Sequence, residues 1–254
     1  MLVSIITVSY NSAATIASTV NSVLTQKGVE LEYIVVDGAS NDGTVDLIRS
    51  YGNRINKFVS EPDNGIYDAM NKGLSLATGE FVGILNSDDF YAHSSVLENV
   101  VKSFDDPELD CVYGDLDYVD AENTERVVRA WRSKPYEEGV FLRGWHPPHP
   151  TFFIRRRVYE ALGGFNLGLR IAADYEFMLR VLERNNKSVS YLPEVLVKMR
   201  TGGASNRSIK NILLANRECV LAWKLNRYSV FTGCWAVFCK PLRKLGQFGS
   251  LNSG

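Results

Sequence analysis

No stretch of the 254 residues approaches the ~20 consecutive apolar positions that a membrane-spanning helix needs, so an integral membrane protein is not expected. The chain shows no basic leader or cleavage site ahead of its first strand-like run, which points to the cytoplasm. It has neither a G-x-G-x-x-G nor a Walker A segment, so nicotinamide and P-loop chemistry lose their usual support. Its four cysteines, Cys111, Cys219, Cys234 and Cys239, match no zinc spacing and read as free thiols in a reducing compartment. A formal net charge of −1 supplies no field to attract nucleic acid. Internal repeats and low-complexity segments are absent.

What is present is a soluble globular composition, 45% hydrophobic and 22% charged, in a chain long enough for one large domain with an appendage. The charge is uneven. Beyond Arg200 eight Lys and Arg accompany a single acid, Glu218, so a basic tail follows an acidic body.

The first hundred residues alternate between two periods. Val3–Val8, Tyr33–Val36, Lys57–Val59 and Phe81–Leu85 read as strands. Helices are expected at about 12–26 behind Asn11 or Ser12, from Thr44 behind Asp42-Gly43, and at about 66–77 behind Asn64-Gly65. Such alternation with short links predicts an α/β fold with a parallel sheet and right-handed crossovers. From Asp110 the pattern changes to short strands at 111–113, 116–119, 126–131, 151–154, 189–192 and 195–199. A helix is expected over 173–185, and an irregular, proline-bearing loop over 132–150.

Asn86-Ser87-Asp88-Asp89 is the most pointed feature. If the preceding apolar run is a buried parallel strand, its carboxyl end delivers both acids to the crevice where open α/β sheets bind ligands. Adjacent carboxylates repel, so a cation or strong donors must offset that cost. Mg²⁺ and Mn²⁺ take oxygen ligands and bridge to phosphates, so the pair suggests a metal–diphosphate site. A solvated loop or helix cap is the alternative. The earlier strands end in Ser9-Tyr10-Asn11, Asp37-Gly38-Ala39-Ser40 and Ser60-Glu61-Pro62-Asp63, which collects polar groups at one sheet edge. Backbone at Thr7–Ser9 and the Asp37 carboxylate suit a nucleotide base and ribose; Asp37 also suits a plain turn.

These segments resemble those of family 2 glycosyltransferases. Val3–Asn11 (VSIITVSYN) is similar to that family's opening strand, and Ile34–Thr44 (IVVDGASNDGT) to its "VVDDGSxDGT" segment. Ser60–Gly73 (SEPDNGIYDAMNKG), Gly79–Asp89 (GEFVGILNSDD) and Ala172–Arg180 (AADYEFMLR) match later motifs in order. The similarity covers roughly residues 1–205. It implies a GT-A fold, with a Rossmann-like nucleotide-binding half (1–105) and a mixed acceptor half (106–205), followed by a basic amphipathic tail (206–254). It also implies a nucleotide-sugar donor, a divalent cation (Mn²⁺ or Mg²⁺) and inverting transfer. By position, Asp37 would contact the base and Asp63 the donor nucleotide. Thr7, Ser9, Asn11, Gly65 and Asn86 would lie on the donor side. Asp88 would be the main metal ligand with Asp89 beside it, and Asp174 aligns with the family's general base. Independently of the family, displacement at an anomeric carbon needs a base for the acceptor proton, and a helix-opening acid stays ionised. A plain first-turn acid is the alternative. The chain departs from the family pattern at Gly38, Asn86 and Ala173, and no histidine follows His149; backbone at Gly202-Gly203-Ala204-Ser205 is the expected substitute near the diphosphate.

Other residues carry two readings each. Asp68 and Lys72 form either a surface i,i+4 pair or a lysine aimed at a phosphate. Asp115-Leu116-Asp117 is a second D-x-D on one strand face, and Asp115 suits a sugar hydroxyl better than a metal. His149 suits an acceptor contact or a structural role; Trp131 and Trp145 suit a sugar ring or the core. The tail places Ile209, Ile212, Leu213, Val220 and Trp223 at helical spacing, then an aromatic run over 230–239. It suits either an anionic membrane surface, through 206–244, or packing on the domain.

The function expected is a metal-dependent inverting glycosyltransferase, using a UDP-sugar and a saccharide or lipid-linked acceptor. The setting implied is surface-polysaccharide assembly at the inner membrane face, without nucleic acid. The rivals are a nucleotidyltransferase that makes a nucleotide sugar, and a non-catalytic nucleotide-sugar-binding protein.

Overall fold

The computed structural model describes residues 1–202 and 209–245. Four parallel strands form one half of the sheet: β1 (Leu2–Ser9), β2 (Glu30–Asp37), β3 (Lys57–Ser60) and β4 (Phe81–Ile84), in spatial order β3-β2-β1-β4. The chain winds outward from β1 to β3 and then returns to place β4 on the other side of β1. That reversal makes a topological switch point between β1 and β4, and their carboxyl ends flank the crevice. The crossovers are α1 (Ile16–Leu24), α2 (Thr44–Ser50) and α3 (Ile66–Leu76).

Beyond β4 the sheet becomes mixed. Strands β5 (Asp89–Tyr91), β6 (Cys111–Val119), β7 (Val127–Trp131), β8 (Phe153–Arg155) and β9 (Val189–Arg200) continue it in the order β8-β6-β9-β5, with β7 paired to β6. Only β6 and β9 run parallel in this half. Helices α4 (Val96–Ser103), α5 (Arg156–Leu162) and α6 (Ala173–Leu179) pack around it, and α6 runs on into a π-helical turn at Arg180–Arg184. Helices α7 (Ile209–Leu225) and α8 (Val230–Leu245) close the described chain.

Alternation along each strand divides the core in two. Ile6, Val8, Ile34 and Val36 face α3, α6 and α7, with Met70, Phe177 and Trp223 buried there. Val3, Ile5, Tyr33 and Val35 face α1 and α4, with Ile16, Val20, Val96 and Val100.

The structure corrects several local expectations. The helix expected behind Asn11 or Ser12 begins only at Ile16, because Asn11 takes a left-handed backbone (φ 48°) and Ser12 opens a turn. The two short strands expected over 111–119 are one strand, and so are those over 189–199. Register shifts beside Asp115 let β9 carry Pro193 through the ladder. Gly114 makes this fit, since a Cβ there would stand 2.5 Å from the Leu196 side chain and 2.8 Å from the Glu194 carbonyl oxygen. Strand β5 and helices α4 and α5 were not foreseen. The expected backbone approach at 203–205 lies outside the described residues, as do the 205/206 boundary and Arg207.

The tail is built into the domain. Trp223 of α7 is buried and its indole N–H donates to the Tyr175 hydroxyl (2.9 Å). Asn226 donates to Glu176 (3.0 Å), and the Tyr228 hydroxyl donates to the Glu183 carbonyl (3.0 Å). Among the described residues no helix is long and apolar enough to cross a membrane.

Candidate active site

The loop after β4 is pinned by its backbone. The Thr19 hydroxyl of α1 lies 2.9 Å from the Ser87 carbonyl oxygen and 2.7 Å from that of Asp89. Arg200, the last residue of β9, donates to the Asp88 carbonyl (2.6 Å) and to the Ser18 hydroxyl (3.0 Å), and stacks over the Phe90 ring at 4.7 Å. With its backbone fixed, Asp88 presents a carboxylate that no donor among the described residues engages. Sequence reading missed Arg200; the only signal was an arginine closing an apolar-alternating strand ahead of Gly202-Gly203.

Asp89 behaves differently from the expectation that placed it beside Asp88 on an ion. Pairing of β5 with β9 draws it inward, and it is fully buried. Burial first, and then the neighbouring charge of Asp88, push its carboxyl well above the usual range. Among the described residues, one of its oxygens and the Asn86 side-chain oxygen have no hydrogen-bond partner. Asn86 offers Asp89 only a long contact of 3.5 Å.

At the ends of β1, β2 and β3 the expected donor residues divide into contacts and supports. Asp37 is fully buried, and its two oxygens accept from Ser9 (3.0 Å), the Ser40 hydroxyl (2.5 Å) and N–H (2.9 Å), and Ser60 (2.8 Å). Four bonds fill a carboxylate, so Asp37 and Ser9 organise the strand ends, and a base contact would displace one of these donors. Thr7 is also fully buried and accepts from the Tyr33 hydroxyl (3.1 Å), beneath the crevice. Asn11 accepts from the Asn41 N–H (3.1 Å) and braces the loop after β2.

Asp63 occupies the space that Gly38 leaves. A Cβ at Gly38 would stand 2.6 Å from Asp63 Oδ2 and 3.3 Å from the Tyr10 ring. Tyr10 is 66% exposed. The departure at Gly38 thus lets Asp63 Oδ2 approach the backbone beside the Tyr10 ring, and Asp63 holds the Gly65 N–H with its other oxygen (2.9 Å). Asp68 accepts from the Asn64 N–H (3.0 Å), and Lys72 reaches Glu61 (2.9 Å) and the Pro62 carbonyl (3.0 Å). Both side chains therefore clamp the loop that carries Asp63, and the phosphate reading of Lys72 finds no geometric support.

On the other side of the crevice Asp174 opens α6. The Tyr67 hydroxyl of α3 lies 2.9 Å from Asp174 Oδ1 and 2.8 Å from the Ile171 carbonyl oxygen. His149 sits close enough to feel the Asp174 charge, but burial outweighs it and lowers the imidazole pKa, favouring the neutral ring; that ring meets Phe165 edge-on at 5.6 Å. Glu218 of α7, itself buried, accepts from the N–H groups of Arg170 (2.9 Å), Ile171 (2.8 Å) and Ala172 (3.0 Å), directly ahead of α6. Tyr118 ties the two acidic regions together: burial first pushes its hydroxyl up, Arg129 opposes this, and the charges of Asp89 and Asp174 both add to it.

Two tentative acceptor residues, Asp115 and Trp145, have partners within the fold. Asp115 is buried and accepts from the Ser133 N–H (2.7 Å) and the Tyr191 hydroxyl (2.9 Å), while Asp117 pairs with Arg132 (2.6 Å). The second D-x-D is thus consumed in holding β6 to its neighbours. Trp145 packs on Tyr113 with ring centroids 6.0 Å apart.

A mixed α/β sheet with a switch-point crevice at the carboxyl ends of its parallel strands is the architecture of the GT-A class of nucleotide-sugar-dependent glycosyltransferases. The chain belongs to glycosyl transferase family 2, whose family model matches residues 4–163. It is 30% identical over 211 residues to a PGL/p-HBAD biosynthesis glycosyltransferase of Mycobacterium bovis, covering 80% of this chain and 78% of that protein. Among solved structures it is similar to S. aureus TarS 1-349 in complex with UDP-GlcNAc, with a TM-score of 0.69, 19% identity and coverage of 100% of this chain and 76% of that one. It is also similar to the mannosyltransferase PcManGT of Pyrobaculum calidifontis in complex with GDP-Man and Mn²⁺, with a TM-score of 0.66, 21% identity and coverage of 99% and 75%.

Proposed function

We propose that this glycosyltransferase moves a sugar from a UDP-sugar, with inversion, to a hydroxyl of a saccharide or lipid-linked acceptor at the inner face of a membrane. The observation that carries the reading is the Asp88 carboxylate, unengaged among the described residues, on a pinned backbone at the switch point. The exposed Tyr10 ring supplies a face on which a base can stack, and Asp63 beside it supplies an acceptor for a ring N–H such as that of uracil. A UDP-sugar is also the ligand named for the TarS structure.

Among the described residues no cluster of three or more His, Cys, Asp or Glu is built to hold a metal ion. That fits Mg²⁺-type chemistry, in which one or two carboxylates and the substrate phosphates share the ion with water. The Asp88 carboxylate and the Asn86 oxygen, neither with a partner among the described residues, suit such a group, so Asp88, with Asn86 beside it, would hold the cation. A bound Mn²⁺ or Mg²⁺ supplies positive charge against the departing diphosphate.

The remaining work belongs to the chain. Asp174 takes the acceptor hydroxyl's proton as its oxygen bonds the anomeric carbon, while the carbon–diphosphate bond breaks and UDP leaves with the electron pair. Tyr67 orients the base from below, and Glu218 fixes the backbone that carries it.

A donor panel read by thermal shift, with and without Mn²⁺, tests the assignment. UDP should stabilise the protein only with metal, and Asp88→Ala should abolish the shift. Asp174→Asn should keep the shift yet lower turnover, read as UDP release, about 10²–10⁴-fold. A UDP shift of equal size without metal and in Asp88→Ala would remove Asp88 from this role.

A further inference from the structure

The last two helices bury one face each and leave the other bare. On α8, Phe231, Trp235 and Phe238 are 86%, 60% and 68% exposed, far outside the range of core residues. They recur at i, i+4 and i+7, so they share one stripe of the helix, with exposed Cys234 between them. Val230 at the start of α8 is exposed as well. On α7 the buried face carries Glu218, Cys219, Ala222, Trp223 and Asn226, and the opposite face carries Leu213, Arg217, Leu221, Lys224 and Leu225. Gly233 seats the two helices against each other, since a Cβ there would stand 3.0 Å from the Val220 carbonyl oxygen.

The exposed charges have one sign. Lys210, Arg217, Lys224 and Arg227 are all exposed, and none has an acid partner among the described residues. The only acid of this segment, Glu218, is buried and occupied by three backbone N–H groups. Lys240 is turned inward to Cys219 (2.8 Å) and over the Tyr175 ring (4.3 Å). A surface of aromatic and leucine side chains whose own helices expose only cations among the described residues is complementary to an apolar layer rimmed by anions. A bilayer leaflet with anionic headgroups has that chemistry, and aromatic rings favour its interface. A second copy of this face is disfavoured, because a two-fold contact would bring like charges together.

We propose that the α7–α8 hairpin docks flat on an anionic lipid surface through Phe231, Trp235, Phe238 and the leucine–basic stripe of α7. The inner face of α7 holds the backbone ahead of Asp174, so docking sets that acid about one helix diameter, ~10 Å, from the headgroups. A consequence, resting on the sugar-transfer reading, is that the acceptor hydroxyl is carried by a lipid and stands close to the membrane plane.

Flotation of the full chain with vesicles tests the docking. Phosphatidylglycerol mixed into phosphatidylcholine should carry the protein up; phosphatidylcholine alone should not, and high salt should release it. Phe231→Ser/Trp235→Ser/Phe238→Ser should abolish flotation while leaving the metal-dependent UDP shift intact, which also shows that the variant is folded. Arg217→Gln and Lys224→Gln should each weaken binding about fivefold. Failure of the wild type to float, equal flotation of the triple aromatic variant, or a dimer that this variant dissolves would each overturn the proposal. Flotation without any UDP shift in the wild type would leave the docking standing and sink the sugar-transfer reading instead.

Discussion

Glu218→Gln is the sharpest probe of how the catalytic half is assembled. Glu218 Oε1 accepts from the Arg170 N–H, and Oε2 accepts from Ile171 and Ala172. Glutamine keeps one acceptor oxygen and replaces the other with an NH₂ group, which is a donor facing donors. Placed to serve Ile171 and Ala172, it abandons Arg170; placed the other way, it abandons two N–H groups. Each charge-assisted bond contributes roughly 1.5–3 kcal/mol, and a buried N–H left unmet costs about 1–3 kcal/mol. The expected loss is about 2–3 kcal/mol for the glutamine variant and about 3–5 kcal/mol for Glu218→Ala, since neighbouring losses do not add fully. Urea unfolding of the full chain reads the stability. UDP release at saturating donor reads the chemistry: kcat should fall about tenfold or more while donor KM holds, because the donor residues lie on the other half. An unchanged urea midpoint with unchanged kcat would refute the reasoning and make α7 an accessory to a self-sufficient domain.

Arg200→Gln removes the donor that pins the Asp88 carbonyl; kcat/KM for the donor should fall about 10–100-fold, the equivalent of one or two charge-assisted bonds, with partial rescue in Arg200→Lys. Wild-type kinetics in Arg200→Gln would count against a pinned loop. Glu32 gives a pH dependence. Burial would raise its carboxyl, but hydrogen bonds from Lys57 (2.7 Å), Ser4 (2.5 Å) and both donors of Thr78 (2.8 Å each) hold it at about 2 instead of an ordinary 4.5. A carboxyl lowered on folding adds stability above its unfolded value, and that stability drains away as pH falls from about 4.5 toward 2. The difference corresponds to about 3 kcal/mol at neutral pH. Urea midpoints of Glu32→Gln should therefore sit below wild type at pH 7 and converge with it toward pH 2; parallel curves would exclude the linkage.

The donor half was largely legible because its information is local. β-branched runs, caps and short links set β1 to β4 in order, and the acids fall where strand ends must be. What escaped is what joins distant segments. Nothing near Glu218 in the chain says that its carboxylate will serve N–H groups 46 to 48 positions earlier. Asp37 and Asp63 read as equivalent strand-end acids. Only the packing shows that serines saturate one and that the glycine at 38 makes room for the other. The tail's amphipathic period was visible, yet the packing comes from one face of its helices and the proposed membrane contact from the other. Spacing alone cannot separate these, because it fixes the stripes and not what covers them. Tyr67 stood inside a matched motif and was passed over, since a tyrosine in a helix ordinarily signals core.

That tyrosine shows why the two halves work as one site. Helix α3 starts behind Gly65, whose N–H is held by Asp63, and two positions later Tyr67 reaches Asp174. Its start thus carries the anchor of the Asp63 loop and the donor that orients Asp174, the base in the proposed reaction. An α-helix turn advances only about 5.4 Å and is stiffened by its own backbone bonds, so a displacement at Asp63 is transmitted to Tyr67 with little loss. The acid from β4 is fixed in the same manner, through the carbonyl of Asp88, by Arg200 from β9. Neither acid depends on a bond to its own carboxylate from a neighbour in sequence. Each is placed by a rigid element from the opposite half, which leaves Asp88 open to a ligand and Asp174 free to take a proton.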